Sequence, residues 1–377
     1  MWISKLNLTN FRNYSSLNLE LPPHLVVIEG GNAQGKTNLL EAIYMLATTK
    51  SHRATNEREL INYFVPENEL FVTRIFAEVH KARDTLKVEM ALKPGGNGEA
   101  SSRKRIRSNG IVKHAIDYVG QVNVVLFSAQ DIDTIAGAPA LRRRFFDLVN
   151  SQLDPHYLHS LQRYQRVLLQ RNHLLRLLQE RQTPSEQLEF WDRELVESGS
   201  YLIDQRHCLV VEINQLAEAI HWELSSQTEK LNLVYLPSIG KEGHQTKMEF
   251  REALQKSRGK EVLQGMTLVG PHRDEFRFRV NDVDMGIYGS RGQQRTIALS
   301  LKLAEAKHFQ AKVGDHPILL LDDVLSELDQ PRRQHLLEFI LPFQQVIITT
   351  TDLNLFEPSF LAQATKFRVR EGNIKEI

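Results

Sequence analysis

The chain has one cysteine, Cys208, in 377 residues, so no internal disulfide can form and a reducing compartment is expected. It has no run of eighteen uncharged apolar residues, which argues against a membrane-spanning helix. Its start, Met1-Trp2-Ile3-Ser4-Lys5, lacks a signal-peptide core, and a cytoplasmic location is expected. Charge of one sign is also missing: 47 Lys and Arg face 46 Asp and Glu. Any basic surface that meets nucleic acid must therefore be local. His52, His80 and His272 show no metal-ligand spacing with Cys208, which argues against a zinc site. There is no internal repeat. The apolar fraction of 41% and the charged fraction of 25% are those of a globular protein long enough for two or three domains.

What is present is a complete phosphate-binding octet, Gly30-Gly31-Asn32-Ala33-Gln34-Gly35-Lys36-Thr37, in the frame G-x-x-x-x-G-K-[ST]. Glycines let successive backbone N–H groups converge on one anion. In such a loop the lysine neutralises the β- and γ-phosphates, and the threonine hydroxyl is offered to Mg²⁺. The context fits: Leu25–Ile28 reads as a buried strand, and Asn38–Ala47 has apolar residues at helical spacing. The helix N-terminus supplies the further N–H donors. The alternative, an ordinary glycine turn between two elements, does not account for strand, loop and helix in that order. A nucleoside triphosphate is the expected ligand.

Along the chain, Leu17, Leu19 and Leu21 alternate with polar residues, and Phe71–His80 and Thr85–Leu92 read as strands. Pro94–Gly98 reads as a loop tip, Arg103–Arg107 as a basic strand and Ser108-Asn109-Gly110 as a tight hairpin turn. From about His156 to Gln227 glycine and proline nearly vanish. Leu158, Leu161, Tyr164, Leu168 and Leu175, then Trp191, Leu195, Leu202 and Leu209, fall near helical spacing. A break at Gln182–Ser185 with Pro184 predicts two helices in an antiparallel hairpin. Residues 228–264 have no clear pattern. Phe276–Val280 reads as a strand, Thr296–Phe309 as a helix, and Ile318–Leu321 and Gln345–Thr350 as strands of a parallel sheet covered on both faces.

Asp322 and Asp323 follow the apolar run Ile318–Leu321, where acids point into the crevice at the strand ends of an α/β sheet. The first would hold Mg²⁺; the second would orient or deprotonate the attacking water. An exposed acidic turn is the plain alternative. Ser290-Arg291-Gly292-Gln293-Gln294 opens a helix and forms a second anion-binding start, or merely a capped one. With Ser326-Glu327-Leu328-Asp329, the order of these segments is similar to that of the ABC ATPase superfamily. There the serine–glycine segment of one subunit covers the γ-phosphate held by another.

The resemblance narrows further. Phe11-Arg12-Asn13-Tyr14, Lys50-Ser51-His52-Arg53, Gly137–Asp147, Gly270-Pro271-His272-Arg273-Asp274, Ser290–Thr296 and Leu321–Asp329 together make the chain resemble, nearly end to end, the RecF family of bacterial recombination-repair ATPases, relatives of the SMC proteins. That resemblance implies an α/β fold, an ABC-type P-loop ATPase head with mixed sheet and helices, carrying an inserted α-helical hairpin lobe. The head is expected over 1–150 and 265–377, and the lobe over 151–264. It implies ATP and Mg²⁺, an ATP-dependent homodimer that clamps DNA in recombinational repair and replication-gap processing, slow hydrolysis that releases it, and action with RecO, RecR and RecA. A weak, DNA-stimulated ATPase used as a switch is expected.

Departures from the wider superfamily bear on the chemistry. Asp323 stands where a catalytic glutamate is usual. Thr351 stands where a switch histidine is expected, and Gln130 of Phe127–Asp131 is the candidate glutamine-loop residue. The candidate catalytic residues are thus Asp323, Gln130 and Thr351; Thr37 and Asp322 are the candidate metal ligands. Ser290, Gly292 and Gln293 join the octet as nucleotide contacts. Arg103, Lys104, Arg105 and Arg107, with Lys113, read equally as a DNA-phosphate ribbon or as a solvated hairpin. Arg142-Arg143-Arg144 could face DNA, pair with acids or sit in water. A membrane-transporter ATPase is disfavoured by the helical hairpin, the missing histidine and the length. A long SMC-type tether is disfavoured because the hairpin is too short, and a nuclease because no acidic cluster follows the ATPase core.

Overall fold

The computed structural model describes residues 1–62, 72–93, 103–180, 185–240 and 246–377. The expected loop tip at 94–98 and the turn around Pro184 lie outside the described residues. The chain forms two compact units, Met1–Asp131 with Lys302–Ile377, and Ile132–Leu301. The expected head–lobe boundaries near 150 and 265 therefore fall inside the second unit.

In the first unit, one six-stranded sheet has the order Asn373–Glu376, Thr365–Arg370, His24–Glu29, Gln345–Thr350, Ile318–Asp322, Val124–Ser128. All its neighbours run parallel except Asn373–Glu376 with Thr365–Arg370, which are antiparallel. The apolar runs of its central strands follow from burial on both faces, and Val26–Ile28 and Ile318–Leu321 are wholly inaccessible. A second, antiparallel sheet has the order Tyr14–Glu20, Trp2–Phe11, Thr73–His80, Thr85–Lys93, Arg103–Ser108, Ile111–Lys113. The helix Lys36–Thr48 is buried continuously from Leu39 to Thr48, and its side chains join one core with residues of both sheets. A helix apolar all round is the sequence expected for such a place. The tight turn after Ser108 forms as the sequence requires, with Asn109 and Gly110 both at positive φ, 49° and 80°.

The second unit is mainly helical. Pro155–Gln179 and Leu188–Leu224 make the antiparallel hairpin, and Thr246–Gln264 packs on both. Tyr157, Tyr164 and Val167 of the first helix meet Leu195 and Leu202 of the second, and Phe250 and Leu254 of the third. The described residues of 228–264 include the strand Leu231–Leu236 and that third helix. The strand pairs with Glu275–Val280, which also pairs with Val283–Asp284.

Two of the family-like segments meet in this unit through a buried arginine. Arg206, on the long helix, donates to both oxygens of Asp147 (2.9 and 3.1 Å) and to Asp274 Oδ2 (2.9 Å). Asp274 is fully buried and also accepts from Tyr235 and the Ser238 N–H. His272, in the same Gly-Pro-His-Arg-Asp segment, lies between the Tyr164 hydroxyl (2.6 Å) and the Thr267 carbonyl (3.1 Å). The carbonyl can only accept, so Nε2 carries the proton and Nδ1 accepts from tyrosine. Burial pushes the His272 pKa down to about 4, which keeps this neutral arrangement.

Candidate functional site

The parallel strands put their C-terminal ends in line. Register pairs Asp322 with Thr349 on one side and Ser128 on the other, while Thr350 pairs with Glu29. Four connections therefore leave the same sheet edge: the phosphate loop, the acidic pair, the turn bearing Gln130, and the segment bearing Thr351. This is where an α/β sheet binds a ligand.

The phosphate loop is shaped by its neighbours. Gly35 has φ 118°, and a Cβ there would lie 2.5 Å from Asn13 Nδ2 and 2.9 Å from the Tyr14 hydroxyl. A Cβ at Gly30 would lie 2.7 Å from the Val369 carbonyl. Both positions thus admit only glycine without displacement. Asn13 Nδ2 donates to the Gln34 carbonyl (3.0 Å), Tyr14 to the Gly35 carbonyl (2.9 Å), and Asn38 Nδ2 to Asn13 Oδ1 (2.8 Å). From the other side Glu371 and Gly372 donate backbone N–H groups to Gln34, at 2.7 and 3.1 Å. The Gln34 and Gly35 carbonyls are thereby drawn toward the protein, an arrangement that turns the N–H groups of this part of the loop toward the concave side.

Lys36 is buried, and its Nζ donates to the carbonyls of Gly30 (2.6 Å) and Gly31 (2.9 Å). Burial lowers its pKa, and the charges of Asp323 and Asp322 oppose that shift. Thr37 Oγ1 donates to Asp322 Oδ1 at 2.9 Å, and Thr349 Oγ1 lies 3.0 Å from the same oxygen. Asp322 and Thr37 therefore present adjoining hard oxygens, the donor type a Mg²⁺ ion takes. Asp323 stands in the left-handed region at φ 52°, and its N–H donates to Thr349 Oγ1 (3.1 Å). Its Oδ1 is buried without a hydrogen-bond partner among the described residues. Burial raises its pKa; Lys36 pulls the other way, and Asp322 adds to the rise. Such a carboxylate is a better base than an exposed one.

The other sequence candidates are placed as follows. Gln130 is exposed in the turn Ala129–Ile132, beyond the strand that pairs with Ile318–Asp322. Thr351 reaches the acidic pair through its backbone N–H, which bonds the Asp323 carboxyl. Ser290, Gly292 and Gln293 belong to the second unit. There the Ser290 N–H donates to Gln293 Oε1 (3.1 Å) and the Gln293 N–H donates to Ser290 Oγ (3.2 Å), a reciprocal capping box. The N–H groups of Arg291 and Gly292 stand in the first turn, where an α-helix offers no internal acceptor.

The basic hairpin divides by strand alternation. Lys104 turns inward to the Thr49 carbonyl (2.8 Å) and to Glu57, alongside buried Ile106. Arg105 is exposed, and Arg107 lies 3.5 Å from Glu89 on the outer face. Arg103 lies on the same strand, paired with Lys93. In the triple arginine, Arg142 forks onto Glu275 (2.7 and 3.0 Å), Arg143 donates to the Asp274 carbonyl (2.7 Å), and Arg144 is exposed.

Sequence reasoning gave no role to Arg12, Glu41, Ser51 or Thr349. Arg12 forks onto Glu41 at 2.9 and 2.7 Å, Ser51 donates to the same carboxylate, and Glu41 is fully buried. A lone Glu inside an otherwise apolar helix, Leu39 to Ala47, was the available signal.

Strand, glycine loop, buried lysine and paired acids at one sheet edge define a P-loop ATPase head of the ABC type. Comparisons with known proteins agree. The RecF/RecN/SMC N terminal domain family matches residues 2–374. A protein of Herpetosiphon aurantiacus named DNA replication and repair protein RecF is 43% identical over 385 aligned positions, covering 99% of both chains. Its namesake in Halalkalibacterium halodurans is 41% identical, with 100% of both covered. A solved structure described as the recombination mediator protein RecF-ATP in the RecFOR pathway gives a TM-score of 0.89 at 32% identity, covering 100% of this chain and 97% of that one. An SMC head bound to the C-winged helix domain of ScpA shares the fold, with a TM-score of 0.57 at 15% identity. The chain belongs to the RecF family.

Proposed function

We propose that this protein is an ATP-dependent DNA-binding clamp of recombinational repair and replication. Two copies close around two nucleotides, and slow hydrolysis opens them. The observation that carries this reading is the cluster of Lys36, Thr37, Asp322 and Asp323 at the sheet edge, held by the 2.9 Å bond between Thr37 and Asp322. Relatives named as replication and repair proteins, and a matching structure described with ATP, support it.

In this reading Gly30–Thr37 cradle the triphosphate, with Lys36 leaving its loop carbonyls for the β- and γ-phosphates. Thr37 and Asp322 hold Mg²⁺, which would neutralise charge developing on the phosphates. Asp323 takes up the proton of the attacking water, using the buried oxygen that lacks a partner. Its short side chain makes hydrolysis slow and fits a switch. Gln130 and the Thr351 backbone line the same edge.

The Ser290 helix start supplies the second half of each site from another copy. Among the described residues nothing requires glycine at position 292: a Cβ there would meet no atom closer than Ser290 Oγ at 3.9 Å. The open space suits an anion approaching from outside. Dimerisation would bring two sets of outward arginines, Arg105 and Arg107 first among them, onto one duplex. Contacts of that kind bind phosphates without reading sequence. RecO and RecR are the expected partners, in the cytoplasm, and no helix among the described residues is long and apolar enough to cross a membrane.

The test is DNA binding measured with ATP·Mg²⁺, with ADP·Mg²⁺ and without nucleotide, across a salt series. Tight binding only with ATP, with a salt slope steeper than that of the ADP form, is expected. Equal binding with ATP and ADP would refute the clamp.

A further inference from the structure

The Ser290 helix start is held from beneath by a chain of polar side chains that the proposed function does not use. Gln293 caps Ser290 with its Oε1, and its Nε2 donates to Glu229 Oε1 at 2.8 Å. Glu229 Oε2 lies 3.1 Å from His221 Nε2, and His221 Nδ1 lies 3.1 Å from Ser300 Oγ. Ser300 donates to the Thr296 carbonyl (2.8 Å), and Thr296 to the Gly292 carbonyl (2.9 Å), so the path returns to the helix it began on. His221 is wholly buried near the end of the long helix Leu188–Leu224.

The backbone is bent to deliver the carboxylate. After the helix ends, Ser226 and Gln227 both take positive φ, 54° and 63°. Two successive non-glycine residues in that region are strained, so the surrounding bonds must hold them there. The bend is fastened by bonds from the Gln227 N–H to the Trp222 carbonyl (2.7 Å) and from the Glu229 N–H to Ser225 Oγ (3.2 Å). Its result is that Glu229 lies back beside His221, one end of its carboxylate on the histidine and the other on Gln293.

We propose that Glu229, fixed by His221, is a positioning residue for the γ-phosphate cap: it holds the Gln293 amide so that the Ser290 helix start keeps its capping box. With Gln293 occupied by that box, Ser290 Oγ accepts from the Gln293 N–H and keeps its own proton to donate outward. The Arg291 and Gly292 N–H groups stay clear as well. Without Glu229 the Gln293 side chain turns to solvent, and the cap loses its fixed geometry before any nucleotide arrives. The inference rests on the reading that Ser290 and Gly292 cap nucleotide bound by a second copy.

The experiment measures ATP·Mg²⁺-dependent dimerisation by sedimentation for Glu229→Ala, Glu229→Gln, Gln293→Ala, the double alanine variant and Ser290→Arg. Monomer affinity for ATP and melting temperature are recorded for each. Loss of one charge-assisted hydrogen bond at each of the two caps, about tenfold apiece, predicts about hundredfold weaker dimerisation for Glu229→Ala. ATP affinity should be unchanged, Glu229→Gln should restore most of the dimer, and the double variant should lose no more than Gln293→Ala alone. Wild-type dimerisation in Glu229→Ala beside a monomeric Ser290→Arg would overturn the positioning role and leave the clamp standing. So would losses that multiply in the double variant, or a loss that follows melting temperature and that Glu229→Gln does not rescue. A dimeric Ser290→Arg would instead remove the clamp reading itself, and this inference with it.

Discussion

Replacing Arg12 by alanine tests how the phosphate loop is supported from below. Glu41 sits at zero exposure in the helix that follows the loop, and Arg12 gives it two hydrogen bonds at 2.7 and 2.9 Å. Burial pushes the Glu41 pKa up, but bonds from Arg12 and Ser51 and the Arg12 charge outweigh it, so the carboxyl stays below its usual value. Removing one partner of a buried ion pair costs about 3–5 kcal/mol, and with the Arg12 side chain 16% exposed a loss of about 3 kcal/mol is expected at pH 7. In the wild type the folded pKa is depressed, so this stabilisation is full above the unfolded value of 4.5 and is lost as pH falls through the folded pKa. In Arg12→Ala burial is no longer outweighed and the folded pKa rises. The variant then gains relative to wild type as pH falls toward 4.5. Urea midpoints of both proteins at pH 7 and near pH 4.5 measure the two effects, and Glu41→Gln added to Arg12→Ala should recover part of the loss. A penalty under about 1 kcal/mol at pH 7, or one unchanged by acid, would refute the argument.

Other outcomes are as definite. Lys36→Ala should abolish productive ATP binding, measured by titration with a fluorescent ATP analogue; normal affinity would make the octet an ordinary turn. Asp323→Asn should leave ATP bound while phosphate release stops, and Asp322→Asn should instead weaken Mg²⁺-dependent binding. A wild-type turnover rate in Asp323→Asn would assign the water to another residue. Arg206→Ala strands fully buried Asp274 and should cost about 3–5 kcal/mol in chemical denaturation. A change of under about 1 kcal/mol there would show that the charges rearrange or neutralise.

The nucleotide-binding half was legible because its signals are local. Leu25–Ile28, Ile318–Leu321 and Gln345–Thr350 are β-branched or apolar runs since parallel strands are covered on both faces. The helix Arg291–Val313 was expected only from Thr296, because its first turn carries Arg, Gly and Gln, with no apolar period to mark it. Thr246–Gln264 was hidden for a similar reason: only Thr246, Phe250, Leu254 and Glu261 are buried, too few for a stripe. The pairings Arg12–Glu41, Gln293–Glu229 and Arg206–Asp274 join residues separated by 29, 64 and 68 positions, and no periodicity records such contacts. Lys104 misled in the other direction: it read as surface charge on either reading, yet it pairs with Glu57. Of the three readings open for Arg142 the structure shows pairing with an acid, Glu275.

The measurement that bears most directly on the clamp is the mass of the protein in solution with ATP·Mg²⁺, with ADP·Mg²⁺ and without nucleotide, for wild type and Ser290→Arg. Wild type should become a dimer with ATP alone. Ser290→Arg should remain a monomer while binding ATP normally. A monomeric wild type at saturating ATP·Mg²⁺, or a Ser290→Arg that dimerises as wild type does, would contradict the account.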